Sequence, residues 1–254
     1  MLQSSPGTER FRSYLVLAAT IGTIAFNALA AAGGVGGVTP KEISDRYPTP
    51  ITPAGYAFSI WSLIYVGLIG FSIYQMLPKH IERYRKIRSI YILSCAFNCG
   101  WIYFWHGNQI GICLAIIVAL AITLFLINYQ LQIPDSPAEN WLVKSPFGVY
   151  FGWVTAASLV NFAVYLNFIG VKMSDSASTL LAVSLILIAA GLGVYMRARY
   201  LNYLYPLAIA WALTAIAVQQ SGHTLVVTAA AVGVIVSLIA CISFVMNMKS
   251  STSG

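Results

Sequence analysis

Charge is scarce in this chain, and where it is missing matters most. Of 254 residues, 8% are Asp, Glu, Lys or Arg, against about 25% in an ordinary soluble domain. None of the 14 Lys and Arg or the 7 Asp and Glu falls inside a long apolar run; all sit in the gaps between runs. A pore-lining carboxylate or a buried ion pair is therefore not expected, nor is proton coupling through an intramembrane acid. Cysteine is sparse as well. Cys95, Cys99, Cys113 and Cys241 all lie in apolar runs, where a thiol serves as a small hydrophobe. No Cys-x-x-Cys or neighbouring His supplies metal-ligand spacing. Histidine is limited to His80, His106 and His223. No Ser-His-Asp set, phosphate loop or metal motif appears, so the residues define no catalytic centre and require no cofactor.

What is present is apolar: 59% hydrophobic residues and a mean hydropathy of +0.78. Such a composition cannot cover a water-facing surface, so lipid must cover it. The runs read as eight spans, about 13–33, 54–76, 88–106, 109–130, 146–168, 178–196, 201–219 and 224–247. Each is about the length needed to cross roughly 30 Å of hydrocarbon. Backbone groups find no water there, so each span is expected to be helical. The expected fold class is all-α, a polytopic transmembrane helical bundle.

The charges test this count. One set of gaps holds Arg10, Arg12, Lys79, Arg83, Arg85, Lys86, Arg88, Lys144, Arg197, Arg199 and Lys249; the other holds only Lys41, Arg46 and Lys172. By the positive-inside rule, both termini and the Lys79–Arg88 loop are expected on the cytoplasmic side. The same placement accounts for the net charge of +7 without a nucleic-acid partner. The loop His80–Arg88 reads either as an anionic-lipid site or, better, as a topogenic cluster. Ala28-Leu29-Ala30 resembles a signal-peptidase site, although the run before it is long for a signal peptide. The connection 34–53 begins with Gly33, Gly34, Gly36 and Gly37 and continues with Pro40, Pro48, Pro50 and Pro53. It reads as a part-rigid lid or a solvated connector.

Polar groups inside the spans are few, mainly Asn27, Asn98, Asn128, Asn161 and Gln219. Each amide must find a partner away from lipid. Asn98, Trp101 and Trp105 share one helical face, as do Tyr150, Trp153, Ala157, Asn161 and Tyr165, and Phe58, Trp61, Tyr65 and Leu68. Three aromatic faces, two of them carrying an amide, suit a pocket for a flat, mostly apolar ligand. They equally suit helix packing or an interfacial belt.

The segment from Pro53 through Gly55, Phe58 and Trp61 to Tyr65 resembles the start of the second helix of the TspO/MBR family, the tryptophan-rich sensory proteins related to the mitochondrial translocator protein. Asn98-Cys-Gly-Trp101 resembles that family's third-helix Asn-x-x-Trp. Pro146, Tyr150, Trp153, Ala157 and Asn161 resemble its fifth-helix pattern. There are departures: Tyr56 stands where the family has Trp, and the stretch to Trp61 is one residue shorter. The resemblance covers about residues 14–168. It implies a TspO-like five-helix bundle over 13–168, between an N-terminal tail (1–12) and a three-helix extension (169–248) with a polar tail (249–254). It also implies a pocket lined by Phe58, Trp61, Tyr65, Asn98, Trp101, Tyr150, Trp153, Ala157 and Asn161, and binding of a tetrapyrrole such as porphyrin or haem.

Four readings follow. The first is a ligand-binding membrane protein, a sensor or carrier for a planar hydrophobic molecule. The second is an uncoupled small-solute transporter; no inverted repeat supports it. The third, an enzyme or haem-bearing electron carrier, would have to use His106 and His223 as axial ligands. The fourth is an accessory subunit of a larger, pigment-bearing complex. Expected partners are membrane lipid and a hydrophobic small molecule, with a homodimer or membrane-complex partner left open.

Overall fold

The described residues form eight long helices: α1 (Pro6–Ala31), α2 (Ile60–Tyr74), α3 (Arg85–His106), α4 (Ile110–Gln130), α5 (Ser145–Phe168), α6 (Asp175–Tyr200), α7 (Leu204–Gln219) and α8 (Thr224–Ser251). The computed structural model describes residues 6–251, with side chains over 7–243. Residues 1–5 of the N-terminal tail and 252–254 of the polar tail lie outside the described residues. No strand occurs among those described. Among the described residues six stretches are long and apolar enough to cross a membrane: Gly7–Ala31, Gly55–Tyr74, Ile110–Gln130, Pro137–Phe168, Asp175–Tyr200 and Thr224–Ser243. The other two helices fall short for different reasons. At 16 residues α7 reaches only about 24 Å, while α3 opens on Arg85, Lys86 and Arg88. With that pattern the protein is an integral membrane protein of the all-α class.

Helix ends overrun the apolar runs, and this corrects one expectation. Helix α1 takes in Glu9, Arg10 and Arg12, and α6 takes in Asp175, Arg197 and Arg199. A buried ion pair does exist: Glu9 and Arg88 are both fully buried, with Arg88 Nη1 2.8 Å from Glu9 Oε2. The apolar runs contain no charge, but the turns that extend them bury charge against each other.

The contacts divide the chain into two compact units. One runs up to Ile43 and resumes over Trp61–Phe147; the other comprises Ser44–Ile60 and everything from Gly148 on. These units group residues by contact, whereas the division at residue 168 groups them by resemblance; the two partitions are different in kind.

In the first unit α3 packs on α1 and α4. Its core centres on Phe71, whose ring lies edge-on to Tyr84, Tyr91 and Phe147 at 5.9, 5.1 and 4.9 Å. Gly67 lets α2 approach Pro146; a Cβ there would sit 2.6 Å from the proline ring. At one end, Arg12 donates to Ser89 Oγ and to the Arg85 carbonyl. At that end too, Glu139 accepts from Arg83 at 2.6 and 2.8 Å and from Tyr84 Oη at 2.7 Å. The N-terminal turns and the α2–α3 and α4–α5 loops thus share this end, as alternating spans require. At the other end Trp105 Nε1 donates to the Pro40 carbonyl, 3.0 Å, and the His106 ring faces the carbonyls of Ile102 and Val38.

In the second unit α8 packs on α6 and α7. Helix α5 approaches α7 so closely at Gly152 that any Cβ would meet the Tyr205 carbonyl. The second half of the long connection is built into this unit and is no solvated linker. Ala54 N donates to the Ala215 carbonyl, 2.9 Å, and Trp211 Nε1 to the Ala57 carbonyl, 3.0 Å. Gln220 Nε2 donates to the carbonyls of Thr49 and Thr52, both 3.1 Å, and Asn167 to that of Pro48, 2.9 Å. Gln220 thereby supplies the donor that a proline-rich segment, short of its own N–H groups, needs for its carbonyls. Helix α6 starts at Ser174, whose hydroxyl accepts from Ala177 N as an N-cap, and ends at Leu201 in the left-handed region (φ 53°).

Candidate functional site

Two of the three aromatic faces read from helical spacing contain side-chain stacks. In the first unit Trp61 and Tyr65 stack one turn apart, centroids 5.5 Å and planes 22° apart. Trp101 and Trp105 do the same at 5.3 Å and 21°. Asn98 is 1% exposed, and its Oδ1 accepts from Asn27 Nδ2 at 2.7 Å. Asn27 also donates to the Thr23 carbonyl, 2.9 Å. An amide pair across α1 and α3 thus satisfies what each helix alone leaves open. Asn27 is the residue that spacing within single helices does not assign to the site; its only signal is an amide inside an apolar run. The same holds for Thr20, whose hydroxyl lies 2.6 Å from both Ser72 Oγ and Tyr91 Oη.

One polar atom on this face is left over. The Tyr65 hydroxyl is buried and has no hydrogen-bond partner among the described residues. A buried unsatisfied hydroxyl costs about 1–3 kcal/mol. It is a donor and acceptor waiting beside a stacked indole.

In the second unit Phe58 meets Trp153 edge-on, 6.2 Å and 76°. Tyr150, Trp153 and Asn161 are buried, and Ala157 is half-buried. Asn161 Nδ2 donates back to the Ala157 carbonyl, 2.9 Å, a local bond that fixes the side chain along its own helix. Of the nine residues named from the sequence, the first unit therefore groups Trp61 with Tyr65. The second groups Phe58 with Trp153, and Ala157 with Asn161.

Two cavities lie elsewhere. One of about 1070 Å³ in the first unit is lined by Arg83, Arg85, Lys86, Tyr129 and Glu139, among others. The other, about 610 Å³ in the second unit, is lined by Pro50, Ile51, Asn167, Lys172 and Leu181, among others. None of the nine residues lines either. At the first cavity the hydrogen bonds that Arg83 donates to the Glu139 carboxylate hold its guanidinium above its ordinary pKa. Nearby His80 is pushed below its usual value by burial and then by Lys79. All four cysteines are free thiols. Among the described residues no group of three or more His, Cys, Asp or Glu is placed to hold a metal.

A family model described as TSPO-like protein matches residues 13–244. No curated protein and no solved structure matches. The matched stretch includes α6 and α7 and most of α8, so the last three helices fall inside the family's pattern. Because the match runs from the apolar part of α1 well into α8, the chain belongs to the TSPO-like protein family.

Proposed function

We propose that the protein binds a planar, largely apolar ligand of the tetrapyrrole class and acts as its sensor or carrier. Family membership supports a membrane ligand-binding or sensor protein. The observation that carries the ligand class is the Trp61–Tyr65 stack with its unspent hydroxyl. A flat aromatic platform recognises a flat conjugated ring, and one hydrogen-bonding group orients it. In this reading Asn98 and Trp101 are further ligand contacts in the first unit, and Phe58, Tyr150, Trp153, Ala157 and Asn161 form a candidate contact surface within the second. The positive-inside distribution supports cytoplasmic termini, which a reporter fused to the C-terminus would test.

The binding test is a titration with protoporphyrin IX, read by quenching of tryptophan fluorescence in detergent. Saturable binding is expected, weakened in the Trp153→Phe and Asn161→Ala variants. Tyr65→Phe separates this reading from mere packing. If the hydroxyl serves a ligand, the variant loses affinity by roughly tenfold, the equivalent of one hydrogen bond. The unliganded variant stays at least as stable, because an orphaned donor has been removed. Binding that is absent, or indifferent to all three changes, would sink the proposal.

A further inference from the structure

We infer that Arg197 marks a binding site for the phosphate of an anionic phospholipid, built where the C-terminal end of α6 faces α8. Arg197 is 8% exposed and makes no ion pair with any described residue; its Nε is buried without a hydrogen-bond partner among them. The guanidinium lies over the Tyr203 ring, 4.2 Å from its centroid. That contact covers one face of the fork and leaves the in-plane Nε–H without a partner among the described residues.

The chain shows elsewhere how it completes a buried guanidinium. Arg88 has a carboxylate, a side-chain amide oxygen and a backbone carbonyl. Among the described residues Arg197 has none of these. A buried charge without a counter-ion is costly, so Arg197 calls for a partner beyond the described residues.

A second unspent group points the same way. Ser237 on α8 is fully buried, and its hydroxyl has no partner among the described residues. Serines in other helices here bond back to the carbonyl four residues earlier, as Ser158 and Ser184 do; Ser237 does not. Its Oγ lies 3.6 Å from where a Cβ on Gly193 would stand, and Gly193 is one turn before Arg197 on the same face of α6. A fork and a hydroxyl on neighbouring turns are what a phosphate oxygen set accepts.

Charge and surroundings identify the ligand. Exposed Arg199 adds a second cation, and two positive charges outweigh the roughly half negative charge of the α6 carbonyl end. Around them α6 and α8 present exposed Val194, Tyr195, Ile239 and Ile242, a surface for acyl chains. A molecule that is anionic at one end and apolar along the rest is a phospholipid, and juxtamembrane cations attract such headgroups.

The test uses the full chain, stripped of lipid in a neutral detergent. Phosphatidylglycerol, phosphatidylcholine with the same chains, and inorganic phosphate are added separately. Bound lipid is counted by native mass spectrometry, and unfolding is followed by tryptophan fluorescence. The wild type is expected to hold one phosphatidylglycerol in preference to phosphatidylcholine and to unfold later with it. Arg197→Met should lose that lipid by about tenfold or more, the worth of a charge-assisted pair, yet unfold without lipid no earlier than wild type. Arg199→Gln should change binding by less than about threefold. Should Arg197→Met fail to fold, Arg197→Lys and Ser237→Ala carry the test, each with several-fold weaker retention of phosphatidylglycerol expected. Equal retention by wild type and the position-197 and Ser237 variants would overturn the site. Protection by inorganic phosphate alone, matching that by lipid, would overturn the lipid as its source.

Discussion

Replacing Glu9 by glutamine should destabilise the first unit by about 3 kcal/mol or more, the usual cost of leaving a buried ion without its partner. Replacing Arg88 by methionine should cost less, and the structure explains the asymmetry. Both side chains are fully buried. Among the described residues Arg88 contacts one carboxylate, with Gln75 supplying neutral oxygens at 2.8 and 3.3 Å. Glu9 has two cations in contact: Arg12 at 2.5 Å as well as Arg88 at 2.8 Å, with Arg85 at 3.9 Å. Glu9→Gln therefore strands a charge, whereas Arg88→Met leaves the carboxylate paired with a quarter-exposed Arg12. A loss of about 1–2 kcal/mol is expected for Arg88→Met, from the missing hydrogen bonds. In the double variant the stranded charge is gone, so it should resemble Arg88→Met alone, and the coupling energy should be about 2 kcal/mol or more. Reversible unfolding of the detergent-solubilised protein by added dodecyl sulfate, followed by near-ultraviolet circular dichroism, measures all three differences. A Glu9→Gln variant less damaged than Arg88→Met, or a coupling energy within about 0.5 kcal/mol of zero, would refute the reasoning.

Three further outcomes are expected. Asn27→Ala should cost about 1–3 kcal/mol by orphaning the Asn98 carbonyl oxygen, while Asn27→Leu with Asn98→Leu should cost less, since both partners leave together; thermal unfolding decides. Gly152→Ala should lower the melting temperature, at about 1–3 kcal/mol for overpacking, because its Cβ must displace the Tyr205 backbone and lies 2.9 Å from the Ala208 Cβ. His80 stacks on Tyr74 at 4.3 Å with its pKa lowered, burial being the main cause. The unfolded chain then binds more protons below about pH 6.5, so stability falls as the pH drops through that value toward the folded pKa. A His80→Asn variant should show a flatter melting temperature between about pH 7.5 and 5.5; an unchanged slope would remove His80 as the cause.

The spans were legible because hydrocarbon imposes a length and forbids charge, and both show in a one-dimensional pattern. The ends were not. Glu9 and Arg88 are separated by 79 positions, and nothing local says that two charged turns will meet and exclude water. The same division runs through the candidate site. Trp61 with Tyr65 and Trp101 with Trp105 stack within one helix, so their spacing of four predicts the contact. Asn27 with Asn98 and Phe58 with Trp153 are joined only by packing, and helical periodicity cannot pair residues on different helices. The long connection reads as a lid or a linker in the sequence for a related reason. Its prolines announce rigidity, but the groups that anchor it, Gln220 and Trp211, lie more than 150 positions further on.

Arg88 and Arg197 make the physical point most sharply. In the sequence they are alike: basic residues at the margin of an apolar run, on the same side by the charge count, each explicable as a topogenic anchor. Burial removes that equivalence, since an anchor belongs in water and neither side chain reaches it. What then separates them is the partner. Arg88 is completed by Glu9 and Gln75, so its role closes within the protein and a change there reads out as stability. Arg197 has an aromatic face and no counter-ion among the described residues, so its role stays open to an outside anion. A change there should read out as ligand retention while stability holds or rises. Opposite signatures from two residues of one type are a stricter test than either variant alone, because a general weakness of the fold would move both in the same direction.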